Sequence, residues 1–237
     1  MQQFFDFPVV SAATFDSFVS CAGNAAALEL ARRIAVPAEP ENLLYLYGPT
    51  GSGKTHLLSA IAHAIGKADG RSFPHISFRE HFSPGELTLH FADSPLLLVD
   101  DLHLLPADAA LHNALWQLFN DFHSAGRTIV MTGNVPPREL PHLDDHLVSR
   151  LLWGLVARVD ASDDASRRMI LQKIAEDRQV RVPDEVLDFI LITTSREVGD
   201  LISAFENIYR LSMASKRKIS LPLARESRER PVPGNES

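Results

Sequence analysis

Cysteine is almost missing from this sequence. Cys21 is the only one, so no intramolecular disulfide can form and nothing suggests a cysteine-rich zinc site. That usage fits a reducing cytoplasm. Long hydrophobic runs are missing as well: no stretch approaches the roughly 20 apolar residues that cross a bilayer. The opening MQQFFDFPVV has no basic start ahead of an apolar core, as an export signal would. The sequence therefore predicts a soluble, unexported, cytoplasmic protein. Nor is there an excess of positive charge. The formal net charge is −7 and the pI about 5.8, which argues against a broad basic surface holding duplex DNA by phosphate neutralisation. Internal repeats are absent, and the histidines are scattered without metal-ligand spacing. What is present is a chain of 237 residues, 45% hydrophobic and 22% charged, enough for one large domain with a smaller one attached.

Hydrophobic periodicity divides the chain. Residues 24–36 place apolar side chains at helical spacing behind Asn24, a good N-cap. Leu43 to Tyr47 (LLYLY) is a continuous apolar run of the kind found in strands covered on both faces. A glycine-rich turn and a helix closing at Gly66 follow. The alternation continues with HISF as a strand, a polar connection through Pro84 and Gly85, and LLLVDD as a strand. A helix over 107–124 and TIVMTGN as a further strand complete it. Strands and helices in alternation predict an α/β fold, a parallel sheet flanked by helices. Beyond Ser162 three helical segments remain, at 165–178, 184–195 and 198–216, predicting a small all-helical domain. The expected organisation is an N-terminal peptide (1–10), an α/β domain (11–161), a helical lid (162–224) and a disordered tail (225–237).

Three motifs carry chemistry. Gly48-Pro49-Thr50-Gly51-Ser52-Gly53-Lys54-Thr55 satisfies G-x-x-x-x-G-K-[ST], in which glycines let successive amide groups turn toward phosphate oxygens. Lys54 would reach the β- and γ-phosphates and the Thr55 hydroxyl would meet Mg²⁺. The adjoining His56 joins these eight residues as a candidate binding group for ATP or ADP. In LLLVDD, apolar residues deliver two carboxylates to a strand's C-terminal end, where α/β sheets bind ligands. Asp100 is the second candidate Mg²⁺ ligand, and Asp101 is placed to orient or deprotonate a water. The competing structural role for Asp101 is an N-cap on DLHLLP. Asn134 closes TIVMTGN, where a polar side chain could approach the γ-phosphate or that water.

These residues together resemble the DnaA/Hda family of AAA+ P-loop proteins over nearly the whole chain. TFDSFVSCAGNAAALELA is similar to the family's segment beside the adenine, LYLYGPTGSGKTHLLSAI to its P-loop and LLLVDDLHLL to its Walker B strand. MTGNVPPREL resembles sensor I, with Asn134 where Asp is usual. LVSRLLWGLVARVD resembles the segment bearing an arginine finger, which implies Arg150 as a group acting on a neighbour's nucleotide; its structural alternative is an ion pair with Asp144 or Asp145. In SREVGDL the sensor II arginine of the family falls at Gly199, which implies weak hydrolysis in cis. Arg196 lies one turn earlier.

Within the family the shorter Hda-type members are the better match. The chain ends soon after KRKISLPLARE, where a duplex-reading module would begin, and the HISF to LLLVDD connection is short and poor in basic residues. Gln2, Phe5 and Phe7 in QQFFDF resemble a peptide that binds the polymerase sliding clamp, with FFDFP packing on its own domain as the alternative. The resemblance implies DnaA and the clamp as partners, self-association, and negative regulation of replication initiation. The competing reading is a DnaA-like or DnaC-like protein that binds single-stranded DNA or loads a helicase.

Overall fold

The computed structural model describes residues 13–36, 41–67 and 70–229. Five strands form one sheet: β1 (Leu43–Tyr47), β2 (Ile76–Ser77), β3 (Leu96–Asp100), β4 (Thr128–Gly133) and β5 (Leu155–Arg158). Their order is β2-β3-β4-β1-β5, and every pairing is parallel. Because β4 lies between β3 and β1, the C-terminal ends of these three strands stand side by side.

The continuous apolar composition of the strands follows from burial on both faces, since alternate residues point to opposite sides. Leu43, Tyr45, Leu97, Val99, Ile129 and Met131 face one layer, made by α3 (Pro84–His90), α4 (Ala109–Ser124) and α5 (Asp145–Leu151). Leu44, Leu46, Leu98 and Val130 face the other, made by α1 (Ala25–Ile34) and α2 (Lys54–Lys67). Tyr45 is fully buried, yet its hydroxyl is satisfied by donating to Val135 O at 2.9 Å, which ties β1 to the turn after β4.

The helices α6 (Asp164–Asp177), α7 (Asp184–Thr193), α8 (Val198–Ser215) and α9 (Leu221–Glu229) pack around Leu171, Leu187, Ile190, Phe205, Ile208 and Leu223. Here the structure departs from expectation, because residues 225–229 are helical. Leu223 and Ala224 are buried, and a leucine removed from water contributes about 1.5–3 kcal/mol, enough to hold a short polar helix in place.

Two other segments differ from the sequence reading. The polar connection through Pro84 and Gly85 contains α3, opened by a complete capping box in which Ser83 and Glu86 satisfy each other's backbone amides. Strand β5 pairs with β1 although only Ala157 among its residues is buried.

Candidate nucleotide-binding site

The P-loop runs from the end of β1 into α2. Gly53 has φ +103°, and a side chain there would come within 2.9 Å of the Phe18 ring, so glycine is required for both conformation and space. Lys54 is only 6% exposed. Its ammonium donates to Gly48 O at 2.9 Å and Pro49 O at 2.8 Å. Desolvation pushes its pKa down, opposed by the nearby Asp101 and Asp100. Buried in the same loop, Ser52 Oγ has no hydrogen-bond partner among the described residues.

Asp100 is 3% exposed and is held from two sides. Thr55 Oγ1 donates to its Oδ2 at 2.6 Å, and the Thr132 hydroxyl of β4 donates to Oδ1. Thr132 Oγ1 also accepts from the Asp101 amide at 3.0 Å, so one side chain fixes both carboxylate-bearing residues. Asp101 leaves the strand with φ 55° and ψ 42°, a left-handed conformation that Asp tolerates better than most residues. Its carboxylate accepts from Ser77 Oγ at 3.2 Å and Arg79 Nε at 2.6 Å. It does not cap the turn at Leu102–Leu104, so the N-cap alternative fails. No local sequence motif marks Ser77, Arg79 or Thr132 for these roles.

Two further segments close on the loop. His56 Nε2 lies 3.0 Å from Thr14 O and 3.1 Å from Ser17 Oγ, and Phe18 meets its ring edge-on at 5.3 Å. A carbonyl can only accept, so Nε2 carries the proton. From the lid, the amides of Val198 and Gly199 lie 3.2 and 3.1 Å from where a Cβ on Gly51 would sit. These first-turn groups of α8 have no intrahelical acceptor and no side chain caps them. The space beside Gly199 itself is open, while Arg196 lines a depression of the lid beside Arg167, Arg168 and Asp188. Cys21, Ala161, Val198 and Ile170 form a small apolar cluster joining the segment before α1, the chain after β5 and the lid.

Lys54, Thr55, Asp100 and Asp101 are thus brought together, and Asn134 and Arg150 stand outside their network. Asn134 is exposed in the turn after β4, where Thr132 rather than Asn134 reaches the carboxylate. Arg150 lies in α5 and pairs with neither Asp144 nor Asp145; Asp144 instead caps the helix by accepting from the His146 amide. Its guanidinium stands over the Trp153 ring, 4.0 Å from the centroid, and 5.6 Å from that of Trp116. Gln2, Phe5 and Phe7 lie outside the described residues.

The residues fit a magnesium-bound polyphosphate. Among the described residues the buried ammonium has only loop carbonyls to satisfy it, a serine hydroxyl of the same loop is orphaned, and the threonine and aspartate that would share a cation already touch. A parallel sheet that carries such a loop on an inner strand, a carboxylate two strands away and a helical lid against the loop defines a P-loop protein of the AAA+ class.

Comparison with known proteins narrows this further. Residues 10–74 and 84–158 match the family described as Bacterial DnaA ATPase domain, and residues 164–227 match the one described as Hda, lid domain. The chain belongs to the DnaA/Hda family of AAA+ proteins. The chromosomal replication initiator protein DnaA of Thermoanaerobacter sp. (strain X514) is 33% identical over 230 residues, covering 90% of this chain and 51% of that protein. The chain spans about half the length of the curated relatives it matches. Domain III of Thermotoga maritima DnaA aligns with a TM-score of 0.80 at 26% identity, over 94% of this chain and 98% of that one. AMPPCP-bound DnaA from Aquifex aeolicus aligns with a TM-score of 0.74 at 23% identity, over 93% and 70%.

Proposed function

We propose that this protein is an Hda-type regulator of replication initiation: it binds ATP or ADP with Mg²⁺, docks on the sliding clamp, and supplies Arg150 to ATP held by DnaA. The observation that carries this reading is the position of Arg150, outside its own nucleotide network and without a carboxylate partner among the described residues. A cation so placed is available to a neighbouring site, where it would offset charge developing on a transferring phosphoryl group. Support for an Hda-type member comes from the lid, whose match spans 164–227. Docking on the clamp rests on Gln2, Phe5 and Phe7, and cytoplasmic residence and self-association go with the same reading.

In its own site, Lys54 and the loop amides would hold the phosphates and Thr55 and Asp100 the cation. Bound Mg²⁺ supplies charge neutralisation at the phosphates. Hydrolysis in cis is expected to be slow, because Gly199 brings no cation and Asp101 is engaged by Arg79. The test is a reconstitution of clamp, DNA and ATP-loaded DnaA. The wild-type protein should accelerate hydrolysis and Arg150→Ala should not; equal acceleration by both would end this reading.

A further inference from the structure

The chain has two tryptophans, and both stand at one guanidinium. Trp116 comes from α4, half-buried on the core, and Trp153 from the turn between α5 and β5, where it remains 60% exposed. A large aromatic left that open gains little from burial, so packing alone does not explain its place. Its backbone is nevertheless fixed. The Trp153 amide donates to Arg150 O at 3.0 Å, and the next residue, Gly154, presses so closely on β1 that a Cβ would lie 2.4 Å from Leu43 Cγ. Around the pair, His123 meets the Trp153 ring at 5.9 Å and His146 meets Trp116 at 6.1 Å.

We infer that Trp116 and Trp153 are positioning residues that hold the Arg150 guanidinium ready for a phosphate outside this chain's own site; the inference rests on the reading of Arg150 given above. A carboxylate could also hold an arginine, but it would occupy the N–H groups that a phosphate must take. Stacking engages the face of the guanidinium and leaves its in-plane donors free. Each such contact at a partly exposed site favours the held conformation by a factor of about two to five. Two rings therefore restrict a flexible side chain before it meets its target, which raises the rate of the stimulated step rather than the affinity for the partner.

Two measurements on the full-length protein test this. In the isolated protein, Arg150→Ala should change the tryptophan emission and its quenching by acrylamide, since no other tryptophan dilutes the signal. Unchanged emission overturns the inference while leaving the finger untouched. In the reconstituted reaction with ATP-loaded DnaA, Trp153→Leu should lower the maximal stimulated rate about threefold and Trp116→Leu with Trp153→Leu about tenfold. The half-saturating concentration should stay within about twofold, and Trp153→Phe, which keeps a ring, should retain at least about half the rate. A raised half-saturating concentration with an unchanged maximal rate would make Trp153 a docking contact and overturn the positioning role. If Arg150→Ala abolishes stimulation but the tryptophan variants keep the full rate, this inference alone falls; if Arg150→Ala stimulates normally, the finger falls with it.

Discussion

Gly199 is the second residue of α8, with open space around it and its amide against Gly51 of the P-loop. Gly199→Arg tests what that helix end faces. On stability two effects oppose each other. Arginine is favoured over glycine in a helix by about 0.7 kcal/mol, and a cation at a helix N-terminus costs about 0.3–1 kcal/mol. The folded state should thus change little. On binding, a charge-assisted hydrogen bond contributes about 1.5–3 kcal/mol, and immobilising the side chain removes about 0.5–1.5 kcal/mol of that. A net gain of about 1–2 kcal/mol corresponds to about 5- to 30-fold tighter binding, larger for ATP than for ADP if the guanidinium reaches the terminal phosphate. Calorimetric titration with each nucleotide, beside a thermal melt of the free protein, reads both quantities. Unchanged affinities with an unchanged melt would mean that the N-terminus of α8 does not face the phosphates, and Gly199 would then give no reason to expect slow hydrolysis in cis.

Removing the buried cation by Lys54→Ala should weaken nucleotide binding about 10- to 150-fold while leaving tryptophan emission as in wild type; affinity within about threefold of wild type in the same titration would refute the site. Arg79→Gln frees the Asp101 carboxylate, so basal hydrolysis by the isolated protein should rise. Because the Arg79 side chain is 59% exposed, the loss of stability should stay within about 1 kcal/mol by urea titration; a fall in basal rate would place Arg79 on the phosphates instead. The pKa of His56 is depressed by burial, partly offset by its bond to Thr14. Folded His56 therefore resists a proton that the unfolded chain accepts once the pH falls below the ordinary imidazole value of about 6.5. Its contribution is intact above that value and declines as pH drops toward the folded pKa. Urea midpoints at pH 7.5 and 5.5 should differ less in His56→Gln than in wild type, and an identical pH dependence would refute the assignment.

The parts of the site legible in the sequence are those whose chemistry is contiguous. Gly48 to Thr55 must be consecutive to wrap a phosphate, and the run of apolar residues before Asp100 announces a buried strand directly. Ser77, Arg79 and Thr132 escaped because their roles depend on strand order: β2 and β4 flank β3, and nothing local says so. Asn134 was the more conspicuous polar residue near the end of β4, but Thr132, two positions earlier, points at Asp100 and Asn134 lies past the strand. Helix α3 was readable, since Ser83 and Glu86 have capping-box spacing; Pro84 and Gly85 disguised it, although proline at the first helical position lacks only an amide that would be unpaired there anyway. The end of α9 was hidden by charge density in ARESRE, where burial of Ala224 and Ser227 outweighs composition.

The two sides of the sheet separate what the protein holds from what it presents. The P-loop helix α2 packs with α1 on one face, through Leu57, Leu58 and Ile61, whereas α5, with Leu147 and Leu151, packs on the other beside α4. Distant segments converge on the loop side: Thr14 and Ser17 through His56, and the lid through Val198 and Gly199 at Gly51. A nucleotide bound there would bridge the lid, the N-terminal segment and the sheet, adding about 2.7 kcal/mol to the folded state at a hundredfold excess over its Kd. Arg150 shares none of those contacts, and its surroundings are fixed by the two tryptophans and by Gly154 against Leu43. Under the proposed function, such a division would let the protein's own ligand serve as a structural brace, in place through many encounters, while Arg150 met another molecule's triphosphate.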